Sequence, residues 1–347
     1  MATSADPPGA GHPHRPRYLS LRALIGTAIG VAATVGIFAM HDFGAVTKAA
    51  ALAGGGFAAV VGWRFTSLLA AAVAWRLLLR PIERPLLPRL AVARWIGEAV
   101  NSLLPVAQVG GDVVRTRLAH RIPLPGGGTV MGVSAAASVI VDMTVALGAQ
   151  ALFALPGLWR VAQLPDIGLA QLIAAFAVTC LPLLLLAAAQ RRRMLSGGAA
   201  LVGRMGLTRL LGPPHVIGES LRRRISAIYR RGPAVAAALF WHLAAWVCRA
   251  GEVWLILMLL GHPIPVIDAI MIEGLINAAR TAAFLLPAGL GVQEGALLLL
   301  CGWIGVGPDL ALAMALLKRG RELAVGGLGL AAWLLAERGA LRRALKG

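Results

Sequence analysis

Charged residues are scarce in this sequence, since only 14% of its 347 residues are Asp, Glu, Lys or Arg. A water-soluble domain of this length covers itself with far more polar surface than that. The hydrophobic fraction is 58%, the mean hydropathy is +0.77, and apolar runs of about 20 residues recur, as a bilayer core about 30 Å thick requires. The strand-type alternation of a membrane barrel is absent. The sequence therefore predicts an all-α, polytopic integral membrane bundle.

Catalytic and redox motifs are missing as well. HExxH, Walker-type, GxSxG and DDxxD patterns do not occur. The three cysteines, Cys180, Cys248 and Cys301, lie inside apolar runs without a CxxC pair, so we interpret them as reduced packing residues. The seven histidines are scattered and predict no metal site. We therefore expect neither enzyme activity nor a cofactor nor a metal.

Acidic residues are few, with 15 Asp and Glu against 33 Lys and Arg, so the formal net charge is +18. The basic residues lie in short stretches between apolar runs, which favours membrane topology and anionic lipid headgroups over nucleic acid as their explanation. Placing every basic stretch on one side predicts cytoplasmic termini in a bacterial inner membrane. The stretches are the N-terminus, residues 80–94, 113–121 and 190–232, and the C-terminal tail.

Six full spans and two shorter hairpins account for this charge distribution. We predict a disordered basic N-terminus at residues 1–20, a single transmembrane domain at 21–337 and a basic cytoplasmic tail at 338–347. Arg64 falls inside the second span, where it either snorkels to the interface or faces the bundle interior. The predicted spans are about Ala23–Met40, Phe57–Leu79, Thr129–Leu155, Ile167–Ala189, Ala234–Leu260 and Asp309–Leu335.

Two interrupted segments share one pattern. Residues 101–112 read NSLLPVAQVGGD and residues 285–294 read LLPAGLGVQE, so a Leu-Leu-Pro is followed by a glycine-containing turn and then an acid. Because proline breaks a helix, each segment predicts a re-entrant helical hairpin, at about 90–121 and about 266–304. Three spans separate the hairpins, which predicts inverted repeats, as in many transporters. The predicted turn residues are Pro105, Gly110, Gly111, Pro287, Gly289 and Gly291.

Polar and ionisable side chains inside these segments are the candidate substrate-binding residues, because charge in hydrocarbon is costly. Internal pairing is the alternative for Arg249 with Glu252 and for Arg319 with Glu322, since each pair is three residues apart on one helix. An acid that begins a half-helix can also act only as a cap. The surplus of cations near the second hairpin suits a phosphate-bearing or otherwise anionic headgroup. The candidates are Asn101, Asp112, Asp142, Arg280, Glu294, Lys318, Arg319, Arg321 and Glu322.

Four segments carry a family resemblance: RWIGEAVNSLLPVAQVGGDVVRTRL (94–118), AASVIVDMTVALGAQ (136–150), NAARTAAFLLPAGLGVQEGALLLL (277–300) and LLKRGREL (316–323). Over about residues 20–337 the chain resembles the lysylphosphatidylglycerol synthase transmembrane-region family, and within it a hopanoid-biosynthesis-associated branch. The resemblance implies a lipid-translocating, flippase-like domain. Lysyl transfer is not expected, because the residues after the last predicted span are too few for an aminoacyl-transferring domain. By matching motif, the resemblance points to Asp112, Asp142, Arg280, Glu294, Arg319, Arg321 and Glu322.

We therefore favour a lipid transporter or flippase that handles hopanoid, other isoprenoid or anionic lipids. Its expected partners are membrane lipids and lipid-synthesis enzymes, with no nucleic acid. Two alternatives stay open at this point. One is a membrane-embedded lipid-modifying enzyme, which would need a nucleophile or an acid cluster that binds metal. The other is a non-catalytic scaffold of a lipid-synthesis complex, which would tolerate neutral substitutions in both hairpins.

Overall fold

The computed structural model describes residues 43–79, 85–104, 110–164, 168–171, 173–177, 180, 214–282 and 291–344. These residues form an α-helical bundle, with one isolated bridge between Pro123 and Thr129. The predicted all-α class is confirmed for this part of the chain. The helices are α1 (Phe43–Ala51), α2 (Gly56–Leu79), α3 (Leu87–Leu103), α4 (Gly110–His120), α5 (Gly132–Val161), α6 (Pro214–Tyr229), α7 (Gly232–Leu259), α8 (Val266–Ala282), α9 (Val292–Trp303) and α10 (Pro308–Ala344).

Three of the described helices, α2, α5 and α7, are long and apolar enough to cross a bilayer. They cover the second, third and fifth predicted spans. Helix α5 continues beyond the predicted end at Leu155. Pro156 lies inside the helix and does not end it. The first predicted span and most of the fourth lie outside the described residues. Helix α10 covers the sixth and runs unbroken through its charged residues, so a total of six spans stays a prediction.

Both predicted hairpins have helical arms, α3 with α4 and α8 with α9, and the arms of each pack together. The residues that join them, 105–109 and 283–290, lie outside the described part. Helices α3 and α4 touch at backbone level, because a Cβ on Gly111 would stand 1.9 Å from the carbonyl oxygen of Gly97. Only glycine at this position allows so close a crossing. How deeply either hairpin enters a bilayer stays a prediction.

Each hairpin packs against the helix that follows the other hairpin in the chain. The first arm of the first hairpin, α3, lies on α10, where the Trp95 Nε1 group donates a hydrogen bond to the Val325 carbonyl at 2.9 Å. The first arm of the second hairpin, α8, lies on α5, where Gln150 Nε2 donates to Thr281 Oγ1 at 3.2 Å. Helices α2 and α7, which precede the hairpins, pack against each other. Both hairpins are thereby brought to the centre of the bundle.

Helix α6 is amphipathic and lies on the outside of this arrangement. Leu221 and Ile228 are buried against α5, while Arg222 and Arg223 are exposed. Arg222 donates hydrogen bonds to the carboxylate of Glu219 and so lowers the pKa of that group.

Candidate functional site

A cavity of about 290 Å³ lies between the two hairpins. Its polar wall comes from α2, α3, α4, α5, α7, α8 and α10, so both halves of the chain contribute to it. Arginine dominates that wall, with six guanidinium groups against three carboxylates. The lining ions are Arg64, Arg94, Arg115, Arg249, Arg280 and Arg321, with Glu98, Asp112 and Glu322. Asn101, Gln150, Asn277 and Thr281 add neutral polar groups.

Asp142, only 1% exposed, joins the first hairpin to the long helices. Its Oδ2 accepts hydrogen bonds from Arg94 Nη1 at 2.8 Å and from Arg115 Nη1 at 2.7 Å. Its Oδ1 lies 2.9 Å from Nε2 of the buried His242 on α7. Arg115 also pairs with Asp112 at 3.0 Å. Since Asp142 does not line the cavity while Arg94 and Arg115 do, the acid stands behind the two guanidinium groups.

Glu273 has the same position behind the wall on the other side. Its Oε1 accepts from Arg249 Nε at 3.1 Å and from Asn277 Nδ2 at 2.7 Å. Its Oε2 accepts from Lys318 Nζ at 2.8 Å. The guanidinium of Arg249 also lies over the Trp246 ring, 4.5 Å from its centroid, in a cation–π contact that holds it against the cavity wall.

Charged side chains of α8, α9 and α10 form an alternating chain. Glu294 accepts from Arg319 Nε at 2.9 Å, and Arg319 Nη1 donates to Glu322 at 2.9 Å. Glu322 in turn accepts from Arg280 Nη1 at 3.1 Å, and the same nitrogen donates to Gln293 at 2.8 Å. Glu294 also accepts from the Gly291 amide at 2.8 Å. It therefore both caps α9 and pairs with a cation of the protein, while its role in substrate binding stays a prediction.

The partner of each buried ion is set by packing more than by spacing along one helix. The predicted Arg319–Glu322 pair is confirmed at 2.9 Å. The predicted Arg249–Glu252 pair is replaced, because Glu252 accepts from Arg321 at 2.7 Å while Arg249 turns to Glu273. Both Arg249 and Glu252 therefore pair with a residue of a neighbouring helix and not with each other.

Arg64 takes the interior position of its two predicted alternatives. It is 5% exposed and pairs with Glu98. Among the predicted site residues, Asn101, Asp112, Arg280, Arg321 and Glu322 line the cavity. Asp142, Glu294, Lys318 and Arg319 stand behind it as partners of other ions.

The predicted turn residues divide between helix ends and the undescribed stretches. Gly110 and Gly111 belong to the first turn of α4, and Gly111 donates its N–H to Asn101 Oδ1 at 2.7 Å. Gly291 precedes α9 with φ 79°, a left-handed conformation that favours glycine. Pro105, Pro287 and Gly289 lie outside the described residues.

Sequence reasoning placed Arg94 and Arg115 in basic cytoplasmic stretches and gave His242 and Gln293 no role. The structure instead buries Arg115, His242 and Gln293 and leaves the Arg94 side chain 17% exposed, and Arg94 and Arg115 line the cavity. The positive-inside rule counts a lysine or arginine near a span as a loop residue, and so it overlooks one that belongs to a buried hairpin. The sequence did indicate that these two arginines belong to the site, because both lie within the polar hairpin segment itself.

The ions around the cavity form one buried group, which we name the central ion cluster. Its carboxylates mostly stand behind the guanidinium groups, and the Nε atoms of Arg94 and Arg115 have no acceptor among the described residues. Such a wall presents positive charge to the cavity. No group of His, Cys, Asp or Glu suited to a metal ion occurs in the described part. The members are Arg64, Arg94, Arg115, Arg249, Arg280, Lys318, Arg319 and Arg321, with Glu98, Asp112, Asp142, Glu252, Glu273, Glu294 and Glu322.

Comparison with known proteins gives one match. A family model described as the lysylphosphatidylglycerol synthase TM region matches residues 23–329. That range contains both hairpins, the cavity and every member of the central ion cluster. Neither the curated proteins nor the solved structures give a match.

Proposed function

The chain belongs to the family of the lysylphosphatidylglycerol synthase TM region, and we propose that it is a flippase-type lipid transporter of the bacterial inner membrane. Family membership and the apolar helices support a membrane protein with a lipid-related function. The proposal adds that the cavity holds the headgroup of an anionic lipid. Hopanoid or other isoprenoid lipids qualify where they carry such a group.

One observation carries this proposal: six guanidinium groups but three carboxylates line the cavity, while the other carboxylates that pair with these arginines, Asp142, Glu252 and Glu273, stand behind them. Arginine offers several donors in a rigid plane that matches carboxylate and phosphate oxygens. In an interior of low dielectric, such groups attract an oxyanion far more strongly than they would in water. A cavity of about 290 Å³ is at the small end of ligand pockets, which span about 300–1,000 Å³. It therefore suits a headgroup whose tails remain in lipid.

The reciprocal packing of the hairpins supports inverted repeats that enter the bilayer from opposite faces. In that arrangement each first arm meets the helix after the other hairpin, as α3 meets α10 and α8 meets α5. Cysteine labelling tests this topology. Single cysteines in residues 105–112 are expected to react only from one side of the membrane, and those in 287–294 only from the other. Labelling of both segments from the same side would contradict the topology.

The transport function is tested by reconstitution of the purified protein into liposomes with fluorescent anionic lipids. We expect transbilayer movement to be faster than in empty vesicles. The Arg280→Gln variant is expected to lose about tenfold or more of that rate, because a hydrogen bond to a charged group contributes about 1.5–3 kcal/mol. Arg222→Gln on exposed α6 is the matched control and is expected to keep the full rate.

Absence of acceleration across several anionic lipids would reject the transporter. The same preparations separate the two alternatives. A new lipid product, detected by mass spectrometry after incubation with membranes, would favour an enzyme. A scaffold would retain its role in cells when Asp112, Glu294 and Arg319 are all replaced by neutral residues, whereas a transporter would not.

A further inference from the structure

The central ion cluster holds more cations than carboxylates. It contains eight cationic side chains and seven carboxylates, hence a formal net charge of +1 when His242 is counted as neutral. The count covers the described residues. The undescribed stretches that join the hairpin arms, 105–109 and 283–290, have no ionisable side chain in their sequence. They leave the balance unchanged.

We propose that the cavity binds one singly charged oxyanion group, such as a phosphodiester, and discriminates against a doubly charged phosphomonoester. This inference rests on the proposed function and narrows its substrate class. A monoanion brings the cluster to zero net charge. A dianion leaves one negative charge uncompensated inside the bundle, and uncompensated charge in a low-dielectric interior is strongly unfavourable.

The arrangement of the ion pairs also favours a singly charged ligand. Every carboxylate of the cluster already pairs with at least one cation, and Asp142, Glu273 and Glu322 pair with two cations each. The donors exceed the acceptors, since Arg94 Nε and Arg115 Nε lack acceptors in the described part. Both Nε atoms are themselves closed off from the cavity, so an added oxyanion meets the exposed atoms of the guanidinium groups that line the wall. A second added charge would have to compete with carboxylates for arginines that are already bound.

The balance also predicts how single substitutions change the preferred valence. Asp112→Asn and Glu322→Gln each remove a carboxylate from the cavity wall, so the cluster becomes +2 and accepts a dianion. Arg249→Gln removes a cation from the same wall, so the cluster becomes neutral and loses its affinity for either anion. Arg222→Gln lies outside the cluster and leaves the preference as it is.

The experiment measures binding to the purified full chain in nanodiscs at pH 8, where the second ionisation of a phosphate, with a pKa of about 6, is complete. Dimethyl phosphate and methyl phosphate are the soluble monoanionic and dianionic probes. Phosphatidylglycerol and phosphatidic acid are the corresponding lipid probes. We expect the wild type to prefer the monoanion of a pair by about tenfold or more. A preference in the lipid pair alone identifies a lipid headgroup as the ligand, whereas a preference in both pairs shows that the charged group suffices.

The substitutions test whether the charge balance determines the preference for a monoanion. Asp112→Asn and Glu322→Gln are expected to reduce or reverse the preference, and agreement between two variants on different helices guards against local misfolding of either one. Equal or tighter binding of the dianion by the wild type would overturn the inference, and so would an unchanged preference in both variants. If anionic lipids move across the bilayer without valence preference, the inference fails and the transporter stands. If none of them binds or moves, the transporter itself is rejected.

Discussion

The two hairpins carry buried charge in different ways. Beside the first, one carboxylate, Asp142, is shared by Arg94 and Arg115. Beside the second, Glu273 is likewise shared by Arg249 and Lys318, but acids and bases also alternate along a chain that runs from Glu294 through Arg319 to Glu322. A shared acid concentrates its energetic contribution in one residue, because its loss leaves several cations uncompensated at once. An alternating chain gives most of its ions a second partner, so single losses are partly compensated.

The largest expected effect is that of Asp142→Asn. The substitution removes the carboxylate of Arg94 and leaves Arg115 a single carboxylate partner, Asp112. Breaking a buried pair in this way costs about 3–5 kcal/mol. Chemical unfolding in detergent micelles, followed by circular dichroism, measures the change. A loss no larger than that of Glu294→Gln would show that the shared acid is not the weak point of its region.

Next in size is a contrast between two glycines. Gly111→Ala places a Cβ 1.9 Å from the Gly97 carbonyl oxygen, and overpacking of this kind costs about 1–3 kcal/mol. Gly295→Ala in α9 is the matched control, because its Cβ meets no atom within 4 Å. Alanine there is expected to stabilise the helix by up to about 1 kcal/mol. Shifts of the same sign in thermal unfolding would contradict the close α3–α4 crossing.

A smaller effect is expected for Glu294→Gln. Arg319 keeps its contact with Glu322 at 2.9 Å, and the glutamine amide oxygen can still accept from the Gly291 N–H. The expected loss is about 1–2 kcal/mol, as for one hydrogen bond to a charged group. The same micelle unfolding assay applies. If this variant were as unstable as Asp142→Asn, the proposed contrast between the hairpins would be wrong.

The smallest effect is expected for Arg222→Gln on the exposed face of α6, because surface ion pairs contribute little. Arg222 lowers the pKa of Glu219. The contribution of the pair is therefore present at neutral pH and is lost as the pH falls through that lowered pKa. We expect indistinguishable unfolding midpoints at pH 7 and at acidic pH for variant and wild type. A clear loss of stability at pH 7 would show that α6 is held by this pair rather than by Leu221 and Ile228.

The sequence predicted the described helices well, because their signals are local. Runs of apolar residues gave α2, α5 and α7 within a few residues, and the break before Gly110 separated α3 from α4. The third span was predicted to end at about Leu155, yet the helix continues through Pro156 to Val161. Packing of α5 against α8 and α7 keeps that stretch helical, and such packing is not visible in a local window.

The site was predicted only in part, because pairing across helices depends on which faces meet. Spacing of three residues correctly paired Arg319 with Glu322 but wrongly paired Arg249 with Glu252. The contact between His242 and Asp142 joins residues that are 100 positions apart. No periodicity within either helix could indicate it. Residues predicted from the polarity of a membrane segment did reach the cavity or its supporting ions, which is what the cost of buried charge implies.

The reciprocal packing has a consequence for how the protein is made. Each half of the chain supplies a helix against which the hairpin of the other half packs. Helix α10 packs against α3, and α5 packs against α8. The arginines of the first hairpin have their carboxylate partners, Asp112 and Asp142, within the first half of the chain. The surface that packs on α3 comes only from the end of the chain. Docking of α10 is therefore the step that completes the packing of the first hairpin.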